Sequence, residues 1–322
     1  MTTPSTTTTA ATSATTPAAT TTPAATHPVA AQAGAATATR STVRVVRPVH
    51  TYEGAGFPVR RPFPTAELPF LDPFLMVDQV GPVELAPGEA KGAPPHPHRG
   101  FETIQYVIAG DIANADSRGH RAVVRGGGVQ WLTAGSGIVH EALPTEEFLA
   151  EGGLQHMLQI WVNLPARLKA VPPRSQNAEA GDLPVVTTED GAELTVIAGS
   201  THGATGPFTT HTPVLVVHAR LAPGARADFT APAGHNAMLY VMSGEAATPD
   251  AQLPDGHLAV LAQDGERFTV EARGGTAEVL VLAGEPIGEP VARSGPFVMN
   301  TAAELYQAQQ DFSRGLMGRL PL

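Results

Sequence analysis

The segment His96-Pro97-His98-Arg99-Gly100-Phe101-Glu102 carries the chain's most suggestive spacing. In an extended strand, residues two apart share a face. His96, His98 and Glu102 therefore point the same way if the strand is regular. Two imidazoles two apart on a strand that faces a barrel interior can hold one metal ion. Nitrogen and oxygen donors of this kind suit Fe, Mn, Zn, Cu or Ni. Pro97 has no N–H to give to a ladder, which predicts that this strand end lies at an edge or a barrel mouth, where a ligand can enter. Farther along, Gly135-Ser136-Gly137-Ile138-Val139-His140 places two glycines, and so a tight turn, just before a strand that carries His140. If the two strands are barrel neighbours, His140 completes a three-histidine face. A lone histidine on an apolar strand is usually a satisfied core or surface residue. His120, His156, His202, His211, His218, His235 and His257 have no comparable framing and are read that way.

The rest of the sequence says what must hold these residues. The chain has 322 residues, of which 42% are hydrophobic, 5% aromatic and 16% charged, with 33 Gly and 30 Pro. That is enough apolar material to exclude wholesale disorder. The glycines and prolines favour many short strands joined by turns over long helices. The length predicts two domains. A formal charge of −10 argues against a chain-wide nucleic-acid or anionic-membrane surface. The absence of cysteine excludes disulfides, thiolate metal sites and a cysteine nucleophile, and fits a reducing compartment. Residues 1–39 are almost entirely Thr, Ala, Pro and Ser, a composition that predicts a disordered tail. No basic stretch precedes an apolar one there, as a signal peptide requires. No apolar run approaches the ~20 residues of a membrane span. The expectation is a cytoplasmic protein with no membrane association. Its tail would cover 1–40 and its two folded domains 41–170 and 171–322.

Those two domains read as copies of one all-β unit. Leu85-Ala86-Pro87-Gly88 recurs as Leu221-Ala222-Pro223-Gly224. Each copy then runs to a similar strand end, Tyr106-Val107-Ile108-Ala109-Gly110 and Tyr240-Val241-Met242-Ser243-Gly244, followed by a turn at Gly128 or Gly265. Strands are predicted at 43–50, 101–108, 154–163, 214–221, 237–242 and 277–282. Their spacing suggests sandwiches or barrels. Only the C-terminus reads as helical, over 302–312, with Thr301 and Glu304 forming a capping box. Leu305, Ala308 and Phe312 share a face there and predict structural packing on a barrel. Aligning the copies sets Thr230 and Pro232 opposite His96 and His98, and Ala277 opposite His140. The second copy thus has the frame without the ligands. The fold does not need the histidines, so a site explains them better.

These residues also carry a family resemblance. His96 through Thr103 and Gln130-Trp131-Leu132-Thr133-Ala134 through His140 resemble the N-terminal cupin domain of the pirin family. Leu158-Gln159-Ile160-Trp161-Val162-Asn163-Leu164-Pro165 and Gly295-Pro296-Phe297-Val298-Met299-Asn300-Thr301 resemble further pirin signatures. The likeness spans about residues 42–313. It implies a bicupin, two jelly-roll β-barrels, with one Fe(II) ion in the N-terminal barrel. The family's three metal-binding histidines match His96, His98 and His140. Its glutamate ligand normally stands two residues after the third histidine, but Ala142 is there and Glu141 comes one place early. Positions 140 and 142 share a strand face while 141 points away. Glu141 ligates only if a bulge re-aims it. Otherwise Glu102, water or the substrate is the fourth ligand. The expected site is thus His96, His98 and His140, with Glu141 as the nearest acid. Without a carboxylate the Fe(II) site carries +2 rather than +1, which favours anionic ligands and makes the ferrous state harder to oxidise.

The resemblance implies a quercetin 2,3-dioxygenase that opens a flavonol or similar enediol-like ring with O2. The alternative is a non-enzymatic, iron-dependent regulatory protein that binds a transcription factor or a metabolic enzyme. A metal-free structural bicupin is a third reading, disfavoured by the retained histidines. The expected partners are a flavonol-like small molecule or a regulatory protein, with no direct nucleic-acid contact, and the expected state is a monomer.

Overall fold

A computed structural model describes Met1 and residues 38–320. The predicted tail lies outside the described residues but for its ends. The first part of the fold runs β1 (Thr42–Val46), β2 (Val49–Glu53), β3 (Phe57–Phe63), β4 (Phe74–Leu85), β5 (Ala93–His98), β6 (Phe101–Ala109), β7 (Ile112–Asp116), β8 (Arg121–Val124), β9 (Val129–Thr133), β10 (Ile138–Pro144), α1 (Glu146–Glu151), β11 (Gly153–Asn163) and β12 (Arg174–Ala178). There follow β13 (Val185–Thr187), β14 (Ala192–Ala198), β15 (Ser200–Thr201), β16 (Ala204–Thr205), β17 (Val214–Leu221), β18 (Arg226–Thr230), β19 (Asn236–Ser243), β20 (Ala246–Ala247), β21 (Gln252–Leu253), β22 (Leu258–Leu261), β23 (Arg267–Ala272) and β24 (Ala277–Gly284). The chain ends in a hairpin, β25 (Ala292–Ser294) and β26 (Phe297–Met299), and the helix α2 (Ala302–Ser313).

Four sheets make two cupin barrels. The first pairs a seven-stranded sheet, β12-β9-β6-β11-β4-β3-β2, with a four-stranded one, β5-β10-β7-β8. The second repeats the plan with β1-β22-β19-β24-β17-β14-β13 and β18-β23-β20-β21. The two long sheets face each other. Ile104, Tyr106, Trp131, Leu158 and Ile160 from one barrel form a single apolar cluster with Val216, Met238, Tyr240, Leu258 and Leu280 from the other. A separate core fills the second barrel. A strand between two such cores is buried on both faces, so it reads as a continuous apolar run rather than an alternating one. β6, β11 and β19 show this and coincide with the predicted strands to within a residue.

Three expectations change. The predicted strand over 43–50 is broken after Val46: β1 pairs with β22 of the second barrel, whereas β2 pairs with β3 of the first. A second helix, α1, forms after β10, with Thr145 Oγ1 accepting from the N–H of Phe148 as N-cap. Six residues are too few to carry a clear helical period. Strand order also makes β18 and β23, not β24, the counterparts of β5 and β10. Ala277 therefore does not stand opposite His140. The inward positions of β18 and β23 are Ala227, Phe229, Phe268 and Val270, and neither strand holds a histidine. Apolar filling occupies the second barrel where the first has its histidines.

Each end of the described chain crosses to the other barrel. Arg40 is buried and donates to the carbonyls of Gly265, Pro232 and His235. At the other end, β26 lies along Arg99, with the Val298 N–H donating to Arg99 O over 3.1 Å. The α2 helix has the predicted Thr301–Glu304 capping box and packs Ala308, with Leu305 beside it, on Val139 of β10 and Phe297. The predicted division into 41–170 and 171–322 is thus crossed in both directions, and β12 also pairs with β9. Among the described residues, no helix is long and apolar enough to cross a membrane.

Candidate metal centre

β5 and β10 lie antiparallel, with His96 directly opposite His140 and His98 opposite Ile138. β5 is the edge strand of its sheet, as Pro97 predicts. The turn before β10 holds Gly135 at φ +47°, where a Cβ would meet the Val171 carbonyl at 2.1 Å. This pairing brings one ligating nitrogen from each of His96, His98 and His140 within 4.8 Å of the others. Among the described residues, this is the one group of histidine and acidic side chains with such geometry. His98 and His140 are buried and His96 half-buried. Ring centroids lie 4.3 Å apart for His96–His140, 4.7 Å for His96–His98 and 4.9 Å for His98–His140.

Hydrogen bonds set the tautomers. His96 Nδ1 is 2.8 Å from the Pro94 carbonyl, and His98 Nδ1 is 3.3 Å from that of Pro296. A carbonyl only accepts, so each Nδ1 donates, and each Nε2 of the neutral ring presents a lone pair. Those two Nε2 atoms stand 3.1 Å apart. Two facing lone pairs repel unless a cation shares them. Two cis ligands at about 2.1 Å from one metal stand about 3 Å apart, which is the distance observed. Both ring nitrogens of His140 are buried without a partner, an arrangement that a metal ion would relieve. Burial lowers the pKa of all three histidines. The neighbouring imidazoles add to that at His98 and His140. All three are therefore neutral near pH 7, the form that binds metal.

Neither expected acid joins the group. The β5–β10 register does shift between His140 and Ala142, but the extra residue is on β5, between Ala93 and His96. β10 keeps its alternation. Ala142 lines the same cavity as His140, while Glu141 pairs with Ala115 and does not line it. Glu102 fails for a different reason. The strand stops at His98, and Gly100 at φ +89° turns the chain into β6 in the opposite sheet. Glu102 then falls on the face of β6 that carries Ile104 and Tyr106, toward the second barrel. It is fully buried there and accepts from Thr133 Oγ1 over 2.6 Å, and burial raises its pKa to about 6.

The histidines open on a cavity of about 490 Å³. Gln105, Met157, Gln159 and Trp161 of the long sheet line it, with Asp78 paired beside Gln159, Glu53 on β2, and Arg293, Gly295 and Pro296 on the terminal hairpin. Trp161 stacks edgewise on His98 at 5.3 Å, and Phe101 does so at 5.0 Å. Sequence reasoning found the histidines and missed this wall. Arg293 and Pro296 lie nearly two hundred residues after His98, and only the Gly295-Pro296-Phe297 signature marked the stretch.

Two family models match the chain, that of pirin over residues 56–162 and that of the pirin C-terminal cupin domain over 216–318. This chain belongs to the pirin family. A pirin-like protein from Arabidopsis thaliana is 38% identical over 292 residues, covering 88% of this chain and 91% of that protein. A crystal structure of quercetin 2,3-dioxygenase from Acinetobacter baumannii is 37% identical with a TM-score of 0.83, covering 88% of this chain and 100% of that one. A bacterial pirin from Escherichia coli, solved in complex with nickel(II), shares the fold at 17% identity and a TM-score of 0.59, covering 76% of this chain and 99% of that one. In this pirin, the three-histidine group sits in the N-terminal cupin, and its donors fit a divalent metal.

Proposed function

We propose that this pirin is a dioxygenase of the quercetin 2,3-dioxygenase type, in which His96, His98 and His140 hold one ferrous ion in the N-terminal barrel. The observation that carries this reading is the set of three neutral imidazoles, with no fourth protein ligand among the described residues, opening on a cavity large enough for a flavonol-sized molecule. Ferrous iron in such a site supplies the redox chemistry that O2 requires. The chain's own residues supply the rest. Three protein ligands leave coordination positions free. Met157 and the Trp161 indole give an apolar wall for an aromatic ring, and Gln105 and Gln159 offer amide groups to its hydroxyls. Glu141 and Glu102 are turned away, so neither acid is placed to take a proton from a bound hydroxyl.

The test is oxygen uptake by iron-loaded protein with a panel of flavonols. The wild type is expected to consume O2 and retain about one iron per chain, and His98→Ala to lose both. Uptake no greater than that of His98→Ala would end the enzymatic reading. It would favour the iron-dependent regulatory role.

A further inference from the structure

Arg293 stands at the mouth of the histidine cavity, on the terminal hairpin rather than on either barrel. Its guanidinium carbon lies 4.6 Å over the centre of the Trp161 ring, and Nη2 is 3.8 Å from Met76 Sδ. A guanidinium has five N–H donors. Among the described residues, this one has no carboxylate within ion-pair distance, and its one hydrogen bond goes to a thioether. The nearby acids are already engaged. Arg61 donates to Asp78, over 2.6 Å from Nε and 2.5 Å from Nη2, and also to Glu53. The two arginines and two acids cancel in charge, but only one of the cations has its donors used.

The position of Arg293 is fixed on two sides. The indole beneath it is the one that stacks on His98. Three residues farther along the same hairpin, the Pro296 carbonyl accepts from His98 Nδ1. The hairpin that orients a histidine thus also carries the guanidinium, one indole ring away. Such a cation offers a planar pair of donors suited to a carboxylate. Cation–π contact with the indole holds the plane without using those donors.

We propose that Arg293 sets substrate specificity, pairing with a carboxylate on an aromatic substrate whose ring lies along Trp161 beside the histidines. This rests on the reading of the cavity as a site for aromatic rings and adds that, among such ligands, one that carries a carboxylate is held more tightly than its neutral counterpart. It does not require that the histidines be metal-loaded.

The test is calorimetric binding of benzoate and of its neutral isostere benzamide to the full-length, metal-free protein and to the iron-loaded protein. The wild type is expected to bind benzoate at least ~10-fold more tightly than benzamide in both forms, since a charge-assisted bidentate pair is favoured over a neutral one. Arg293→Met keeps an unbranched chain against Trp161 and Met76. It is expected to bring the ratio close to one by weakening benzoate at least ~10-fold more than benzamide, with the melting temperature unchanged. Arg293→Lys should restore part of the preference. A wild-type ratio near one, or an Arg293→Met protein that weakens both probes equally, overturns the assignment. Preference that persists in a protein unable to take up iron supports the assignment of Arg293 while removing the dioxygenase reading.

Discussion

Ala142 shares the cavity with His140 and stands where the pirin resemblance places a glutamate. A carboxylate built there has the right face, as Glu141 does not. Ala142→Glu is expected to slow iron loss to a chelator by ~10-fold, a change typical of altered ligation, measured as iron retained over time. An equal rate of loss would show that position 142 does not reach the metal. Glu102 makes the opposite case, an acid with a burial cost and no site. Its pKa is 4.5 ordinarily and about 6 when folded. Between those values the folded state binds more protons than the unfolded one. Stability therefore falls as pH rises from about 4.5 to about 6 and is level above that. The shift corresponds to roughly 2 kcal/mol at most. Glu102→Gln is expected to flatten this slope in urea melts taken across that window. An unchanged slope would assign it to other groups.

At the level of elements, the sequence was most legible where one strand or helix decides the matter. β11, β17 and α2 lie where predicted because their apolar runs and the Thr301–Glu304 box are local signals. The pairing of His96 with His140 was legible only in part: two glycines and a proline mark a turn and an edge strand, but that the two strands are neighbours is seen only in the fold. The break between His98 and Glu102 was not legible. Arg99-Gly100 looks like mid-strand, and its turn depends on the hairpin that docks there. Gly100 makes that dock possible: a Cβ would fall 2.0 Å from the Val298 carbonyl, at φ +89°. Lys169 Nζ completes it by donating to Gly100 O over 2.7 Å and to Val298 O over 3.2 Å. Gly100→Ala is expected to cost at least about 1 kcal/mol in urea unfolding and to speed tryptic cleavage at Arg293 several-fold. Unchanged proteolysis would mean that the hairpin stays docked.

At the scale of the molecule, the internal repeat predicted two barrels correctly but hid their exchange of ends. A repeat is seen by comparing each half with the other. β1 and the β25–β26 hairpin lie outside the repeated stretches of sequence, and each contributes to the half it is far from in sequence. The apolar faces of the long sheets also meet each other rather than solvent. A chain ended after residue 290 keeps all three histidines and loses Arg293, Pro296 and the Val298 contact with Leu75, Met76, Phe101 and Trp161. It is expected to bind well under half the iron of the full chain, by metal analysis after gel filtration. Full iron content in the shortened protein would show that the hairpin is dispensable to the metal.

The exchange of ends also constrains when the site can form. A ribosome delivers His96, His98 and His140 long before Pro296 and Val298. Until those residues emerge, His98 lacks the Pro296 carbonyl that fixes its tautomer, and the cavity lacks the lining of Arg293, Gly295 and Pro296. The long sheet of the first barrel meanwhile awaits its apolar partner. Docking of the β25–β26 hairpin is therefore expected to precede full occupancy of the three histidines by any metal they hold.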